Sequence, residues 1–224
     1  MNEMAALIVT AVILGAQHTL APDHVAAVSV FASQRPSWQR ALGLGARWGV
    51  GHSLTIVLLG SALVLSGAHI PLAWESSIER LVGVALVLVG CASIWRAARS
   101  PRRWHEHDGV RHAHPPMVRG ARHDRDHRAL LGIGMLHGVA GTGALVIAIP
   151  LAAAGSPARS MMFLASFGIG TIVAMSVFAA AAGAVFGRAA RRSAAMERGL
   201  GFAAGAGSVL VGVWWWAAAA GATP

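Results

Sequence analysis

Long apolar stretches separated by arginine-rich segments constrain this chain more than any other feature of its sequence. Hydrophobic residues make up 55% of the 224 residues and charged residues only 12%, against about 25% charged in a soluble domain. About 20 apolar residues cross the roughly 30 Å hydrocarbon core of a bilayer. The sequence therefore predicts an all-α, polytopic membrane protein. Its apolar content excludes intrinsic disorder, and its single cysteine excludes a disulfide-stapled secreted fold.

The apolar runs divide the chain into one membrane domain of two halves joined by a loop. Residues 1–96 and 129–224 each form a three-helix half, and residues 97–128 form a loop rich in His and Arg. Apolar continuity predicts six transmembrane helices, at residues 5–31, 42–66, 78–96, 129–151, 160–186 and 200–220.

Arginine placement predicts the orientation of these helices. Sixteen of the 18 arginines lie in the first, third and fifth connecting segments, which the positive-inside rule assigns to the cytoplasm. Both termini are then outside, and the protein is a multi-pass protein of the cytoplasmic membrane. Arginine that flanks spans accounts for the net charge of +9, so we expect no nucleic-acid partner.

The two halves resemble each other at a nearly constant offset. Segment 15–18 aligns with segment 134–137, and segment 49–51 with segment 168–170, both 119 residues apart. Three spans per half would insert the halves in opposite orientations, the 3+3 inverted repeat common in transporters. The alternative is coincidence in an apolar chain of low complexity.

An ionisable cluster in the first predicted span is the main candidate site. His18, Asp23 and His24 lie in a hydrocarbon setting, where such groups are costly and face an interior cavity. In an unbroken helix the two imidazoles would lie about 120° apart. Pro22 should kink or break the helix and leave the His18 carbonyl free, so that the three side chains can converge. Imidazole and carboxylate ligands suit Ni, Co, Zn or Cu(II); the alternative is a kinked helix whose polar groups bond to neighbouring spans.

Two further histidines fall at comparable depths in other spans. His52 follows Gly51 in the second span, and His137 precedes Gly138 in the fourth. Small residues let helices approach closely. We expect both histidines to be additional metal ligands or to line the path of an ion, although either one alone would also fit a buried core histidine.

Six of the 11 histidines lie in the cytoplasmic loop. Histidine-rich tracts are typical of weak metal capture, but only by composition, and a solvated linker between two halves is the alternative. The candidates are His105, His107, His112, His114, His123 and His127.

Three elements resemble the nickel/cobalt transporter family, which includes urease-accessory-type nickel permeases and nickel/cobalt efflux proteins. They are His18 with Asp23-His24, then Gly51-His52-Ser53, and the His137-Gly138 start of the second half. The resemblance implies transport of Ni²⁺ or Co²⁺ with the first-span motif as metal site. The long family members have an additional Asp in that motif and eight spans, which leaves nickel selectivity and the direction of transport open.

The sequence is therefore interpreted as a permease for divalent nickel or cobalt, not an enzyme, with no prosthetic group. Its partners would be the transported ion, the lipid bilayer, and either a second copy of the chain or an intracellular metal acceptor. Two alternatives remain: a membrane-embedded zinc-dependent enzyme using the same ligands, and a metal sensor or assembly protein using the cytoplasmic loop.

Overall fold

The computed structural model describes residues 2–34, 36–66, 72–99, 104–107, 110–113, 123–140 and 156–221. This part of the chain contains seven helices and one two-stranded hairpin. In chain order they are α1 Glu3–His18, α2 Pro22–Ser33, α3 Trp38–Ser66, α4 Leu72–Arg99, β1 Trp104–His107, β2 Val110–Ala113, α5 His123–Ala140, α6 Pro157–Arg192 and α7 Ala194–Gly221.

The helices are long and apolar enough for a multi-pass membrane protein. α3, α6, α7 and the Ser76–Arg99 part of α4 could each cross a bilayer, and α1 with α2 would form a fifth, bent span. Large apolar side chains on their outer surfaces, such as Leu58, Leu88 and Leu210, are exposed and would face lipid. The predicted fourth span, 129–151, is described only as far as the end of α5, so six spans stay a prediction.

The predicted break at Pro22 is confirmed. Pro22 begins α2, and the axes of α1 and α2 differ by 63°. The Thr19 amide and hydroxyl both donate to the Gly15 carbonyl, at 3.4 and 3.2 Å. The prediction that the His18 carbonyl would be free is wrong, because the Ala21 amide donates to this carbonyl at 3.0 Å. A short turn thus satisfies the polar backbone at the break, as burial at membrane depth requires.

The described part of the His- and Arg-rich loop differs from the prediction in two ways. The all-α prediction holds for the membrane helices, but β1 and β2 pair as an antiparallel hairpin between α4 and α5. The dipeptide Asp108-Gly109 between the strands is typical of two-residue hairpin turns. α5 begins at His123, so His123 and His127 are helical rather than part of the loop. Apolar continuity missed this helical extension because its first residues are charged.

Closely packed antiparallel helix pairs form the centre of the molecule. α3 lies along α6 and α4 along α7, while α1 packs on α6 and α5 packs on α3. Gly49 lies against Ile172, and the Ser53 hydroxyl donates to the Gly168 carbonyl at 3.1 Å. Small residues and interhelical hydrogen bonds of this kind are typical of membrane helix contacts.

The contacts of α1 with α6 recur between α5 and α3. A Cβ atom on Gly15 would meet the Phe167 carbonyl, and one on Gly134 would meet the Trp48 carbonyl. Both pairs of equivalent residues, 15 with 134 and 48 with 167, are 119 apart in sequence. The same offset relates two more contacts between these helices, Gly170 with Val12 and Gly51 with Leu131.

Candidate metal centre

Three imidazoles meet where α1 ends, α2 begins and α3 passes. One ligand nitrogen from each of His18, His24 and His52 lies within 4.8 Å of the others. The Nε2 atoms of His18 and His52 are 3.2 Å apart. Two imidazole nitrogens bound to one metal at 2.0–2.1 Å lie about 2.9–3.4 Å apart. His18 and His52 therefore already have the spacing of two ligands on one transition-metal ion, and a nitrogen of His24 lies within 4.8 Å of both.

The broken helix creates this arrangement. A straight helix would point His18 and His24 about 120° apart, whereas the turn after α1 brings their ring centroids to 4.7 Å. His52 comes from the middle of α3, with ring centroids 5.3 Å from His18 and 4.9 Å from His24. His24 and His52 are fully buried and His18 is half-buried.

Asp23 lies behind His24 rather than among the three imidazoles. The His24 Nδ1–H donates to Asp23 Oδ1 at 2.9 Å, because an ionised carboxylate can only accept. When the imidazole is neutral, this bond places its proton on Nδ1 and leaves the lone pair on Nε2. That Nε2 atom has no hydrogen-bond partner among the described residues. A carboxylate that orients a histidine in this way is typical of metal sites; direct binding by Asp23 stays a prediction.

His137 extends the group beyond the three central imidazoles. Its Nε2 lies 3.6 Å from Asp23 Oδ2, and its ring centroid is 5.3 Å from that of His24. The side chain is 1% exposed, and neither ring nitrogen has a hydrogen-bond partner in the described part of the chain. We call His18, His24, His52 and His137 the histidine cluster; His24 contacts the other three rings, His18 and His52 also contact each other, and we call the His18 side and the His137 side its two ends.

Sequence reasoning missed two aromatic side chains at this site. Trp48 stacks on His24 at 6.1 Å and meets the ring of His137 edge-on at 5.3 Å. Phe167 packs on His18 at 5.5 Å. Trp48 lies one helical turn before His52 on α3, and this spacing is a signal that could have placed it on the same face.

The two helix ends at the break give the site a mixed electrostatic field. The carboxyl end of α1 carries partial negative charge, which favours a cation near His18. The amino end of α2 carries partial positive charge, and Asp23, its second residue, offsets that charge. Paired half-helix ends of this kind form ion sites in transporters.

The loop histidines fall into three groups. The hairpin register pairs His105 with His112 and His107 with Val110. His123 and His127 lie in the first turns of α5. His114 lies outside the described residues, and metal capture by any of these positions stays a prediction.

Fold and site together define a multi-pass helical membrane protein with a buried histidine cluster on a broken helix. The chain belongs to the family described as cytochrome C biogenesis protein transmembrane region, whose model matches residues 24–214.

Three known proteins are similar in sequence. Urease accessory protein UreH from Bacillus sp. (strain TB-90) is 30% identical over 191 residues, 85% of this chain and 82% of that protein. The Arabidopsis thaliana chloroplast proteins FOR GROWTH AND FERTILITY 1 and 2 are each 28% identical, over 76% and 73% of this chain. The match covers 48% and 43% of those two proteins. No solved structure matches the chain.

Proposed function

We propose that this protein is a permease that carries divalent nickel, and secondarily cobalt, across the cytoplasmic membrane. The observation that carries the proposal is the meeting of three imidazoles, two fully buried and one half-buried, from three helical segments, with one nitrogen of each within 4.8 Å of the others. A buried polar group normally has a partner, and the His24 Nε2 atom has none among the described residues. A transported cation would supply it.

Each residue of the site would have a separate role in binding the ion. His18, His24 and His52 would donate nitrogen lone pairs to the ion. Asp23 would hold the His24 ring in place and offset part of the divalent charge. His137 would receive the ion at the other end of the cluster, where its Nε2 lies 3.6 Å from Asp23 Oδ2.

Nickel is favoured over other cargoes by the ligand set and by two similarities. Imidazole nitrogen suits Ni, Co, Zn and Cu(II), and there is no thiolate pair to favour Cu(I). The motifs resemble those of nickel/cobalt transporters, and the chain is similar to a urease accessory protein. The family name refers to cytochrome c biogenesis, but one cysteine in 224 residues cannot form the intrachain disulfide that thiol–disulfide exchange by this chain alone would need.

The proposed transport mechanism rests on a 3+3 inverted repeat. The recurrence of the α1–α6 contacts between α5 and α3, at the offset of 119 residues, supports it. The equivalent helices α3 and α6 are antiparallel, as the two members of an inverted repeat must be. One half would rock against the other around the histidine cluster. The arginine distribution supports cytoplasmic loops one, three and five, with both termini outside.

Nickel flux into proteoliposomes of known orientation tests the proposal. His18→Ala should abolish most ⁶³Ni²⁺ uptake and efflux. Gln17→Ala is the matched control, because Gln17 is the preceding residue on α1 and is exposed, so its flux should equal that of the parent protein. Equal flux in both variants would overturn the proposal.

The two alternatives make different predictions in the same preparation. A zinc-dependent enzyme would turn over a small molecule without accumulating metal. A sensor based on the loop would lose its output when the hairpin histidines His105, His107 and His112 are replaced by Ala, whereas a permease would keep its flux. Replacing these histidines is preferable to deleting the whole loop, residues 104–127, because such a deletion would also remove the beginning of α5, which starts at His123.

A further inference from the structure

The two ends of the histidine cluster are built in the same way. At one end the ring of Phe167 lies 5.5 Å from His18, and at the other the ring of Trp48 lies 5.3 Å from His137. His18 and His137 are 119 residues apart, and so are Trp48 and Phe167. One offset therefore relates both the histidines and the aromatic rings that cover them.

The backbone beside each ring is held in place by an equivalent glycine. Gly15 on α1 packs against the Phe167 carbonyl, and Gly134 on α5 packs against the Trp48 carbonyl. Each backbone is thus pinned by a neighbouring helix, and the Trp48 ring also lies against Gly134 through its Cδ1 atom. Rotation of Phe167 would uncover His18, and rotation of Trp48 away from Gly134 would uncover His137 and the face of His24 on which it stacks.

The two ends differ in exposure. His137 is 1% exposed and lies under Trp48, whereas His18 is half-buried. Both aromatic rings are themselves buried, at 2% for Phe167 and 0% for Trp48. The structure is thus closed at the His137 end and more open at the His18 end.

We propose that Phe167 and Trp48 are the two gates of the permeation path and that they open alternately. This inference rests on the inverted repeat and the path proposed above. An axis in the membrane plane that exchanges the halves also exchanges the two membrane faces, so each gate closes the cluster towards one face. The faces of the aromatic rings also attract a passing cation, whereas an aliphatic side chain in the same place would not.

Accessibility of engineered cysteines tests the gates without requiring metal transport. The single native thiol, exposed Cys91, is first removed as Cys91→Ser. His18→Cys or His137→Cys is then added, and a membrane-impermeant thiol reagent is applied to one face of oriented proteoliposomes at a time. We expect the cysteine at position 18 to react from one face only and the cysteine at position 137 from the opposite face only.

Truncating each ring should act at its own end. Phe167→Ala should raise the labelling rate at position 18 at least about tenfold and leave position 137 unchanged, since a large buried ring is removed at one end only. Trp48→Ala should raise the labelling rate at position 137 and leave the rate at position 18 unchanged. Phe167→Leu and Trp48→Phe keep most of the side-chain volume, so their labelling rates should stay close to those of the parent protein. These two variants also replace an alanine variant that does not fold.

The outcomes separate the gates from the metal site. Labelling of both positions from the same face would overturn the gates and the inverted repeat, while the comparison of His18→Ala with Gln17→Ala would still decide nickel transport. Equal effects of either truncation at both positions would overturn the assignment of separate gates. Loss of flux in His18→Ala together with ring-specific labelling would support both proposals.

Discussion

Gly138 gives a sharp test of how closely α5 must approach α3. It follows His137 on α5 and faces α3, where an added Cβ atom would lie 2.5 Å from the His52 carbonyl oxygen and 2.9 Å from the Thr55 Cβ. Ordinary contacts begin at 3.4 Å. In Gly138→Ala the two helices must therefore separate by about 0.8–0.9 Å at this point, because backbone atoms cannot rotate away as a side chain can.

The expected loss of stability follows from two opposing effects. Overpacking of this kind costs about 1–3 kcal/mol, and replacing glycine by alanine in a helix returns up to about 1 kcal/mol. Gly132→Ala is the matched control on the same helix, since nothing lies within 4 Å of its added Cβ atom. The control isolates the helix-propensity gain, so the two variants should differ by about 1–3 kcal/mol in their free energy of unfolding.

Thermal unfolding in detergent and nickel flux in proteoliposomes measure the two consequences. For a chain of this size, that difference lowers the melting temperature of Gly138→Ala by about 2–12 °C relative to Gly132→Ala. The separation also moves His137 away from Asp23, from which it now stands at 3.6 Å, so flux should fall in Gly138→Ala alone. Equal melting temperatures and equal flux in the two variants would refute the close packing of α3 and α5.

Three other perturbations test the site and the loop. Lowering the pH should weaken nickel binding, because protons compete with the ion for the imidazole nitrogens; an affinity that does not fall, by titration calorimetry, at any acidic pH at which the protein stays folded would contradict imidazole ligands. Pro22→Ala should let α1 continue into α2 and weaken nickel binding at least about tenfold in the same assay, and unchanged affinity would show that the break is not needed. Exchanging His112 and Ala113 keeps the composition of the hairpin but takes the imidazole out of register with His105. If register matters, the number of metal ions bound per chain should fall. If composition alone matters, that number should stay constant.

The sequence was sufficient to predict those features that are costly in a membrane. An Asp between two histidines in an apolar stretch is tolerated only in a covered site, and proline fixes where the helix must break. The break at Pro22 and the approach of His18 to His24 follow from these two constraints. Both could be predicted because they depend on residues close together in the chain.

Features that depend on packing between distant segments could not be predicted in the same way. Phe167 belongs to the second half, and the contact of α1 with α6 brings it to His18, while the contact of α3 with α5 brings Trp48 to His137. The position of Asp23 behind His24 depends on a hydrogen bond that spacing alone does not specify. The hairpin had a local signal in Asp108-Gly109, which the arginine and histidine content of the loop obscured.

The charge of the site bears on how the proposed cargo would be released. Three neutral imidazoles and the single carboxylate of Asp23 would leave a bound divalent ion with a net charge near +1. The partial charge at the carboxyl end of α1, about half an elementary charge, offsets only part of that excess. Net charge alone does not set the affinity of such a site, since three neutral imidazoles can hold a divalent transition-metal ion tightly. Release of the ion, which conduction requires, would therefore depend on a change in ligand geometry, such as separation of the His18 and His52 Nε2 atoms that now stand 3.2 Å apart.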